Sequence, residues 1–303
     1  MTTSPERETE PVPDHPKTAF VLSGGSSLGA VEVGMLQALR DHGITPDMVF
    51  GASAGAINAA WVAGDPTLAD VDELADVWKR LRTRDIFPLR PAIGFLGFVG
   101  RRTSLFPSDG LRRVIVANSR YERLEDAAIP IGVVATEART GMEVVLDRGP
   151  AVEAVLASAA IPGVFPPVVI DGRALIDGGV VNNTPVSHAV DAGAERIYVL
   201  PTGYACQRER TPRGALAMTL HAVSLMVEQR LVNEVGRLQD RVDLRVLPPL
   251  CPLDVLPTDF SRAAEMIDRS RTESGKWLDR FATDGVPTDQ RVNLGFHRHP
   301  TPG

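Results

Sequence analysis

The sequence has few cysteines and no excess of positive charge, and both shortages exclude kinds of function. Its 303 residues include two cysteines, Cys206 and Cys251, which show no C-x-x-C spacing and cannot form a disulfide framework. We therefore expect reduced thiols in an intracellular protein. Lys and Arg number 32 against 38 Asp and Glu, a net charge of −6. No broad basic field is therefore available to bind nucleic acid.

Long apolar runs are also missing. No stretch of about 18 apolar residues occurs, so no membrane-spanning helix is predicted. Residues 1–16 are acidic and rich in proline, without the basic start and apolar stretch of a secretory signal, and we expect them to be disordered. Residues 17–285 are predicted to form a single domain, and residues 286–303 a flexible tail. These features predict a cytoplasmic protein.

Short apolar strands alternate with helical patterns along the chain. Residues 18–23 form an apolar run ended by glycines, and residues 30–42 repeat apolar side chains at helical spacing. This alternation predicts an α/β fold of three layers, with a mostly parallel central sheet and helices on both faces. Further helices are expected at about 54–63, 67–82, 108–118, 150–159, 185–192, 213–240 and 260–283. Further strands are expected at about 48–50, 131–136, 142–147, 196–201 and 243–247.

Residues 51–55 read Gly-Ala-Ser-Ala-Gly and fit the pattern G-x-S-x-G between a strand and an apolar helix. A sharp turn in that context exposes the hydroxyl of Ser53 above the sheet edge, and small neighbours let the chain turn. The following helix also directs its N-terminus, which favours negative charge, towards the serine. A glycine turn with a capping serine would show the same five letters. The strand–turn–helix context favours a nucleophile.

A second glycine-rich turn, residues 24–29, joins the first strand to the first helix. It lacks the lysine of a Walker loop, and Ser26 replaces a glycine that the dinucleotide motif requires, so a nucleotide site is disfavoured. An oxyanion hole and a plain structural turn both fit the remaining pattern. The predicted oxyanion donors are the backbone N–H groups of Gly24, Gly25, Ser26, Gly29 and Ala54.

Asp177-Gly178-Gly179 follows a short strand-like run, where a lone aspartate would ordinarily be a turn residue. The glycine loop, the serine motif and this D-G-G, in that order, resemble the patatin-like phospholipase family over about residues 18–200. The resemblance implies a dyad in which Ser53 is the nucleophile and Asp177 the base. It also implies an acyl-enzyme, no cofactor, and a fatty acyl ester or phospholipid as substrate.

Two positions depart from the family pattern, which usually has a glycine at Ser26 and a basic residue at Leu28. The loss of the cation bears on the acceptance of anionic head groups more than on hydrolysis. An acyltransferase or thioesterase on the same scaffold, and a non-catalytic lipid-binding module, are alternatives to the hydrolase. A Ser–Asp–His triad is disfavoured because no histidine lies in a glycine-flanked loop. The histidines considered are His188, His221, His297 and His299.

Residues 86–106 are aromatic and aliphatic, broken by proline and glycine, and carry three arginines. One interpretation is a lid or acyl-chain wall that makes a peripheral contact with a membrane. The other is a segment packed against the sheet. Substrate contacts are predicted for Ile93, Phe95, Phe98 and Phe165. No H-E-x-x-H or calcium-loop motif is present, so no metal is predicted, and no oligomeric state is specified by the sequence.

Overall fold

The structure, a computed structural model, describes residues 15–88, 103–203, 214–251, 253, 255–281, 291, 292 and 294. The first 14 residues, residues 89–102 and most of the expected tail lie outside this set. The predicted boundaries of the disordered lead-in, the domain and the tail therefore stay predictions.

The described strands form one sheet of eight strands, in the order β5-β6-β3-β2-β1-β7-β8, with β4 also paired to β3. β8, β7, β1, β2 and β3 are parallel, whereas β4, β5 and β6 are antiparallel additions at the β3 side. The prediction of a mostly parallel sheet is confirmed. The strands are β1 Thr18–Leu22, β2 Met48–Ala52, β3 Ile131–Glu137, β4 Glu143–Leu146, β5 Val168–Ile170, β6 Arg173–Asp177, β7 Arg196–Leu200 and β8 Asp243–Val246.

Helices cover both faces of the sheet. Phe20 and Leu22 of β1 belong to a core cluster that includes apolar side chains from helices α1, α2, α6 and α9. Ala19 and Val21 of the same strand face a second cluster with helices α7 and α8. Alternate residues of one strand are thus buried on opposite faces, which confirms the three-layer prediction. The helices are α1 Gly29–Asp41, α2 Ala54–Gly64, α3 Val71–Arg80, α4 Thr83–Ile86, α5 Asp109–Asn118, α6 Ala151–Ser158, α7 Val186–Asp191, α8 Ala215–Leu238 and α9 Ala263–Phe281. Across the described parts of the chain, no helix is long and apolar enough to cross a membrane.

Strands β2 and β6 meet end to end along β3. β4 pairs with β3 over residues 133–136 and so occupies one of its two edges. Along the other edge, β2 runs parallel to β3 until Ala52 lies opposite Val134. β6 runs antiparallel until Asp177 lies opposite Ala135. Because Val134 and Ala135 are consecutive, the two chain segments that follow β2 and β6 are brought face to face.

A tight hairpin delivers β6 to this edge. β5 and β6 are joined by Asp171 and Gly172, which have φ angles of 49° and 75°. Positive φ at both central residues is typical of a type I′ turn, for which Asp-Gly is a favoured sequence. The expected secondary structure did not include this hairpin, although the Asp-Gly pair between apolar runs is its signal.

Cys251 is disulfide-bonded in the structure, and no free cysteine is present among the described residues. The expectation of a reduced thiol is therefore wrong for Cys251, and Cys206 lies outside the described residues. A disulfide needs Cβ atoms about 4 Å apart, which sequence spacing does not reveal.

The crossing of α1 and α9 leaves no room for a side chain at Gly34. A Cβ atom there would lie 2.7 Å from the backbone nitrogen of Arg271 and 2.9 Å from the Cβ of Ser270. We expect Gly34→Ala to lower the free energy of unfolding by about 1–3 kcal/mol, because α9 must shift. Urea denaturation followed by circular dichroism measures this change.

Gly236, which is exposed on α8, is the matched control. A Cβ atom there has no described neighbour within 4 Å. Gly236→Ala should raise the free energy of unfolding by about 0.5–1 kcal/mol through helix propensity. Equal effects of the two substitutions would mean that the α1–α9 contact yields at no cost.

Candidate active site

Ser53 occupies the turn between β2 and α2, and its backbone conformation is strained. Its φ and ψ angles are 54° and −121°, a region that non-glycine residues rarely adopt. Close packing imposes the turn, since a Cβ on Gly55 would lie 2.5 Å from the backbone of Leu22. The N–H of Ser53 donates to Ser158 Oγ at 2.9 Å, and that hydroxyl donates to the carbonyl of Val134 at 2.5 Å. These two bonds hold the turn against the middle of β3.

Ser53 and Asp177, which are 124 positions apart in the chain, are joined by a hydrogen bond. The Ser53 hydroxyl donates to Asp177 Oδ2 at 2.7 Å, and the N–H of Gly179 donates to the other carboxylate oxygen at 2.7 Å. Ser53 and Asp177 are both buried, with 6% and 5% of their surface exposed. The carboxylate is therefore oriented by donors on both oxygens while it is largely withdrawn from water.

Burial changes the acidity of Asp177. Loss of hydration raises the pKa of its carboxyl from 3.8 to about 6, and the hydrogen bonds from Ser53 and Gly179 oppose part of that rise. A carboxylate with this pKa is a stronger base than an ordinary aspartate and is still mostly ionised at neutral pH. It is therefore suited to accept a proton from an alcohol.

The glycine loop before α1 is held in place by hydrogen bonds at its first residue, Gly24. The N–H of Gly24 donates to the carbonyl of Asn183 at 3.0 Å. The carbonyl of Gly24 accepts from Asn183 Nδ2 at 3.0 Å and from Thr202 Oγ1 at 2.7 Å. Gly24 lies against Ser53, since a Cβ there would be 2.9 Å from the Cβ of Ser53. The loop is therefore anchored beside the serine from two directions.

Only some of the predicted oxyanion donors remain available. The N–H of Gly24 is engaged with Asn183, and the N–H of Gly29 is engaged with the carbonyls of Ser26 and Ser27. In this structure those two N–H groups therefore already have acceptors and are not available to an oxyanion. Within the described part of the chain, no acceptor receives a hydrogen bond from the N–H groups of the other three predicted donors. These are Gly25, Ser26 and Ala54.

The two positions that depart from the family pattern behave differently. Ser26 has a φ of 53°, a left-handed conformation that a glycine would adopt without strain, and it lines the pocket next to Ser53. Leu28 is partly buried and packs against the larger core cluster, so this position contributes packing where the family pattern usually has a basic residue.

A buried carboxyl group links the glycine loop to α2. Glu32 in α1 accepts from the N–H of Ser23 at 2.5 Å and from Asn58 Nδ2 at 2.7 Å. Asn58 also donates to the carbonyl of Gly29 at 3.0 Å and accepts from Trp78 Nε1 at 2.9 Å. Burial raises the pKa of Glu32 well above its usual value, and the bonds from Asn58 and Ser23 oppose the rise. The network ties both ends of the glycine loop to the helix that follows Ser53.

An apolar pocket begins at Ser53 and is walled by α2, α3, α5 and aromatic side chains. Phe165 stacks on Phe87 with ring centroids 5.5 Å apart, and both line the pocket. The other predicted substrate contacts, Ile93, Phe95 and Phe98, lie outside the described residues. Further lining side chains are those of Ile57, Leu74, Val77, Trp78, Leu81, Ile86, Leu111, Val114, Ile115, Val155, Ile161 and Phe260.

No histidine intervenes between Ser53 and Asp177, because the two side chains bond directly. His188 in α7 instead pairs with Glu143 of β4 at 2.7 Å, and this hydrogen bond raises the pKa of its imidazole. His221 belongs to α8, and its side chain is outside the described set, as are His297 and His299.

Sequence reasoning missed several residues that hold the site together. Ser158 supports the serine turn, and Asn183 and Thr202 donate to the carbonyl of Gly24 at the start of the glycine loop. Glu32 had a detectable signal, because a charged residue occupies a position in α1 surrounded by apolar and small neighbours. The three others are small polar residues whose contacts arise only in the folded chain.

The sequence of the chain is similar to those of several known proteins. A family model described as patatin-like phospholipase matches residues 20–190, more than half of the chain. An uncharacterized NTE family protein of Mycobacterium tuberculosis is 33% identical over 181 residues, which cover 59% of this chain and 47% of that protein. Neuropathy target esterase sws of Drosophila melanogaster is 30% identical over 186 residues, covering 61% of this chain and 13% of that protein.

The similarity to solved structures is more distant. VipD of Legionella pneumophila aligns with a TM-score of 0.46 and 17% identity, over 87% of this chain and 67% of that chain. The human GIVD cytosolic phospholipase A2 aligns with a TM-score of 0.46 and 12% identity, over 87% of this chain and 58% of that chain. The chain spans about half the length of its mycobacterial relatives, at 47%. By the match over residues 20–190, the chain belongs to the patatin-like phospholipase family.

Proposed function

We propose that this protein is a lipid acyl hydrolase that cleaves fatty acyl esters through an acyl-enzyme on Ser53. The observation that carries the proposal is the 2.7 Å hydrogen bond from Ser53 Oγ to the buried carboxylate of Asp177, at the start of an apolar pocket. Membership of the patatin-like phospholipase family supports a lipid as the substrate.

In the first half of the reaction, Ser53 Oγ attacks the ester carbonyl carbon while its proton moves to Asp177 Oδ2. The carbonyl oxygen gains the negative charge and accepts hydrogen bonds from the N–H groups of Gly25, Ser26 and Ala54. The N-terminal end of α2 adds a favourable dipole at that point. When the tetrahedral intermediate collapses, Asp177 returns the proton to the leaving alcohol, and the acyl group remains on Ser53.

In the second half, a water molecule attacks the acyl carbonyl carbon and gives its proton to Asp177. The second tetrahedral intermediate is stabilised by the same N–H groups. Its collapse releases the fatty acid, and the proton on Asp177 returns to Ser53 Oγ. Each half begins and ends with the same ionised carboxylate, so one aspartate suffices as both base and acid.

The pocket supports an acyl chain as the group that enters beyond Ser53. Its walls are formed mainly by aliphatic and aromatic side chains. Burial of an acyl chain against them stabilises the bound state by about 25 cal/mol for each Å² of apolar surface removed from water. A phospholipid would place its head group on the side of the ester away from this pocket. The proposed contact of residues 86–106 with a membrane stays a prediction, because residues 89–102 lie outside the described residues.

Removal of either member of the dyad tests the proposal. Ser53→Ala should abolish hydrolysis of p-nitrophenyl esters and covalent labelling by a fluorophosphonate probe, because no nucleophile remains. Asp177→Asn should lower kcat by roughly 10²–10⁴, the usual contribution of a general base. Esterase kinetics and gel-based probe labelling measure both effects.

His188→Ala is the matched control, because His188 pairs with Glu143 and not with the dyad. It should keep activity within about two-fold of the unsubstituted protein. Full activity in Asp177→Asn, or loss of activity in His188→Ala with the fold intact, would contradict the two-residue mechanism.

The activity should depend on pH through Asp177. Because the pKa of this carboxyl is raised to about 6 and only its ionised form accepts a proton, kcat/KM should be level at higher pH. Below about pH 6 it should fall roughly tenfold for each pH unit. Initial rates with a short-chain ester, from about pH 4 to 8, measure the profile. If the fall of kcat/KM at low pH disappears in His188→Ala, the titrating group is the imidazole of His188 and not Asp177.

Asp177→Asn should also separate catalysis from stability. The pKa of the carboxyl is 3.8 in the reference state and about 6 when folded, so the native state loses stability as pH rises through that interval. At pH 8 we expect Asp177→Asn to be more stable than the unsubstituted protein, by up to about 3 kcal/mol, with no difference near pH 4. Thermal unfolding at both pH values is the measurement. A less stable variant at pH 8 would show that the ionised carboxylate holds the fold together.

A further inference from the structure

The pocket runs along one face of α2. Ala54, Ile57 and Trp61 line it at positions i, i+3 and i+7, which lie on the same side of a helix. A helix rises about 1.5 Å per residue, so Trp61 lies about 12 Å along the axis from Ser53. An acyl group that enters beside Ser53 and follows this face therefore reaches Trp61 at the length of a medium-chain fatty acid.

A charged cluster occupies that far end of the pocket. The guanidinium carbon of Arg120 lies 4.1 Å from the centroid of the Trp61 ring, in a cation–π arrangement. Asp70 forms an ion pair with Arg120 and accepts a hydrogen bond from Trp61 Nε1 at 2.8 Å. Arg120 and Trp61 both line the pocket. The cluster of Trp61, Asp70 and Arg120, here called the distal cap, therefore puts a paired charge where the apolar wall ends.

Three separate segments hold the distal cap in place. Trp61 belongs to α2, Asp70 precedes α3, and Arg120 follows α5. The stem of Arg120 lies on Gly64, where a Cβ would be 2.7 Å from its Cδ atom. The next residue, Tyr121, donates its hydroxyl to the carbonyl of Ala60 at 3.0 Å. Because Arg120 is held from both sides, its guanidinium cannot swing away without breaking an ion pair and a ring contact.

We infer that Arg120, held by Asp70 on the face of Trp61, closes the distal end of the acyl pocket and limits the length of the acyl chain that the enzyme accepts. The inference rests on the proposed function. Each methylene buried along α2 should raise kcat/KM about four-fold. A chain that extends past Trp61 meets a guanidinium and a carboxylate, and its entry requires their displacement. The increase in kcat/KM with acyl chain length therefore ends at the distal cap.

The test is the chain-length profile of hydrolysis, with p-nitrophenyl esters from acetate to palmitate. In the unsubstituted protein, kcat/KM should rise to a medium-chain maximum and fall for longer esters. Arg120→Met together with Asp70→Asn removes both charges and keeps apolar volume, so neither partner is left as an isolated ion. This double variant should shift the maximum to longer chains and raise kcat/KM for palmitate at least tenfold, with acetate changed by less than about two-fold.

Arg123→Ala is the matched control, because Arg123 is an exposed arginine three residues further on, which pairs with Glu125 at 2.8 Å and is outside the pocket wall. It should leave the profile unchanged. Thermal unfolding of each variant identifies loss of the fold. If the double variant proves too unstable to assay, Arg120→Lys is used in its place. It keeps the charge and should keep the medium-chain maximum.

Fatty acid binding to Ser53→Ala, measured by calorimetry, separates this inference from the proposed function. Binding should strengthen with chain length up to the distal cap, and the double variant on the Ser53→Ala background should extend that range. If the unsubstituted protein shows no turnover and no probe labelling, but the fatty acid binding pattern is as expected, the proposed hydrolase function is contradicted and the inference about the distal cap is kept. An identical length profile with and without the charged pair, in both turnover and binding, would overturn the inference.

Discussion

The hydrogen bond between Ser53 and Asp177 depends on how two strands approach a third. β2 and β6 run towards each other along one edge of β3, and their last residues lie opposite the consecutive residues Val134 and Ala135. Any change in either register by one residue would turn the side chain that follows to the other face of the sheet. The 2.7 Å contact is therefore a property of the strand pairing and not of either loop alone.

The same burial that makes the Asp177 carboxylate more basic also lowers the stability of the fold. Its pKa rises because its carboxylate is withdrawn from water, and the bonds from Ser53 and Gly179 offset only part of that penalty. Glu32 has a raised pKa for the same reason, but its two oxygens are used to link Ser23 and Asn58. One buried carboxyl thus bonds to the serine that lines the pocket, and the other supports the loops around it. Such destabilising groups are typical of functional sites.

Helix α2 connects three parts of the site. Its N-terminus lies at Ser53, one of its faces lines the pocket, and Trp61 near its other end belongs to the distal cap. Because a helix is rigid over this length, the distance between Ser53 and the distal cap is set by the number of residues between Ser53 and Trp61. In this arrangement, the position of Ser53 and the depth of the pocket are coupled.

The sequence determined the local parts of this protein, and the tertiary structure decided how they meet. The three-layer α/β class, most helices and the serine turn follow from short-range patterns, namely apolar periodicity and a glycine-bracketed serine between a strand and a helix. The contacts of Ser158 and Asn183 and the ion pair of Arg120 with Asp70 do not follow from such patterns. Each joins residues that are distant in the chain, and only the pairing of strands and the crossing of helices bring such residues within bonding distance.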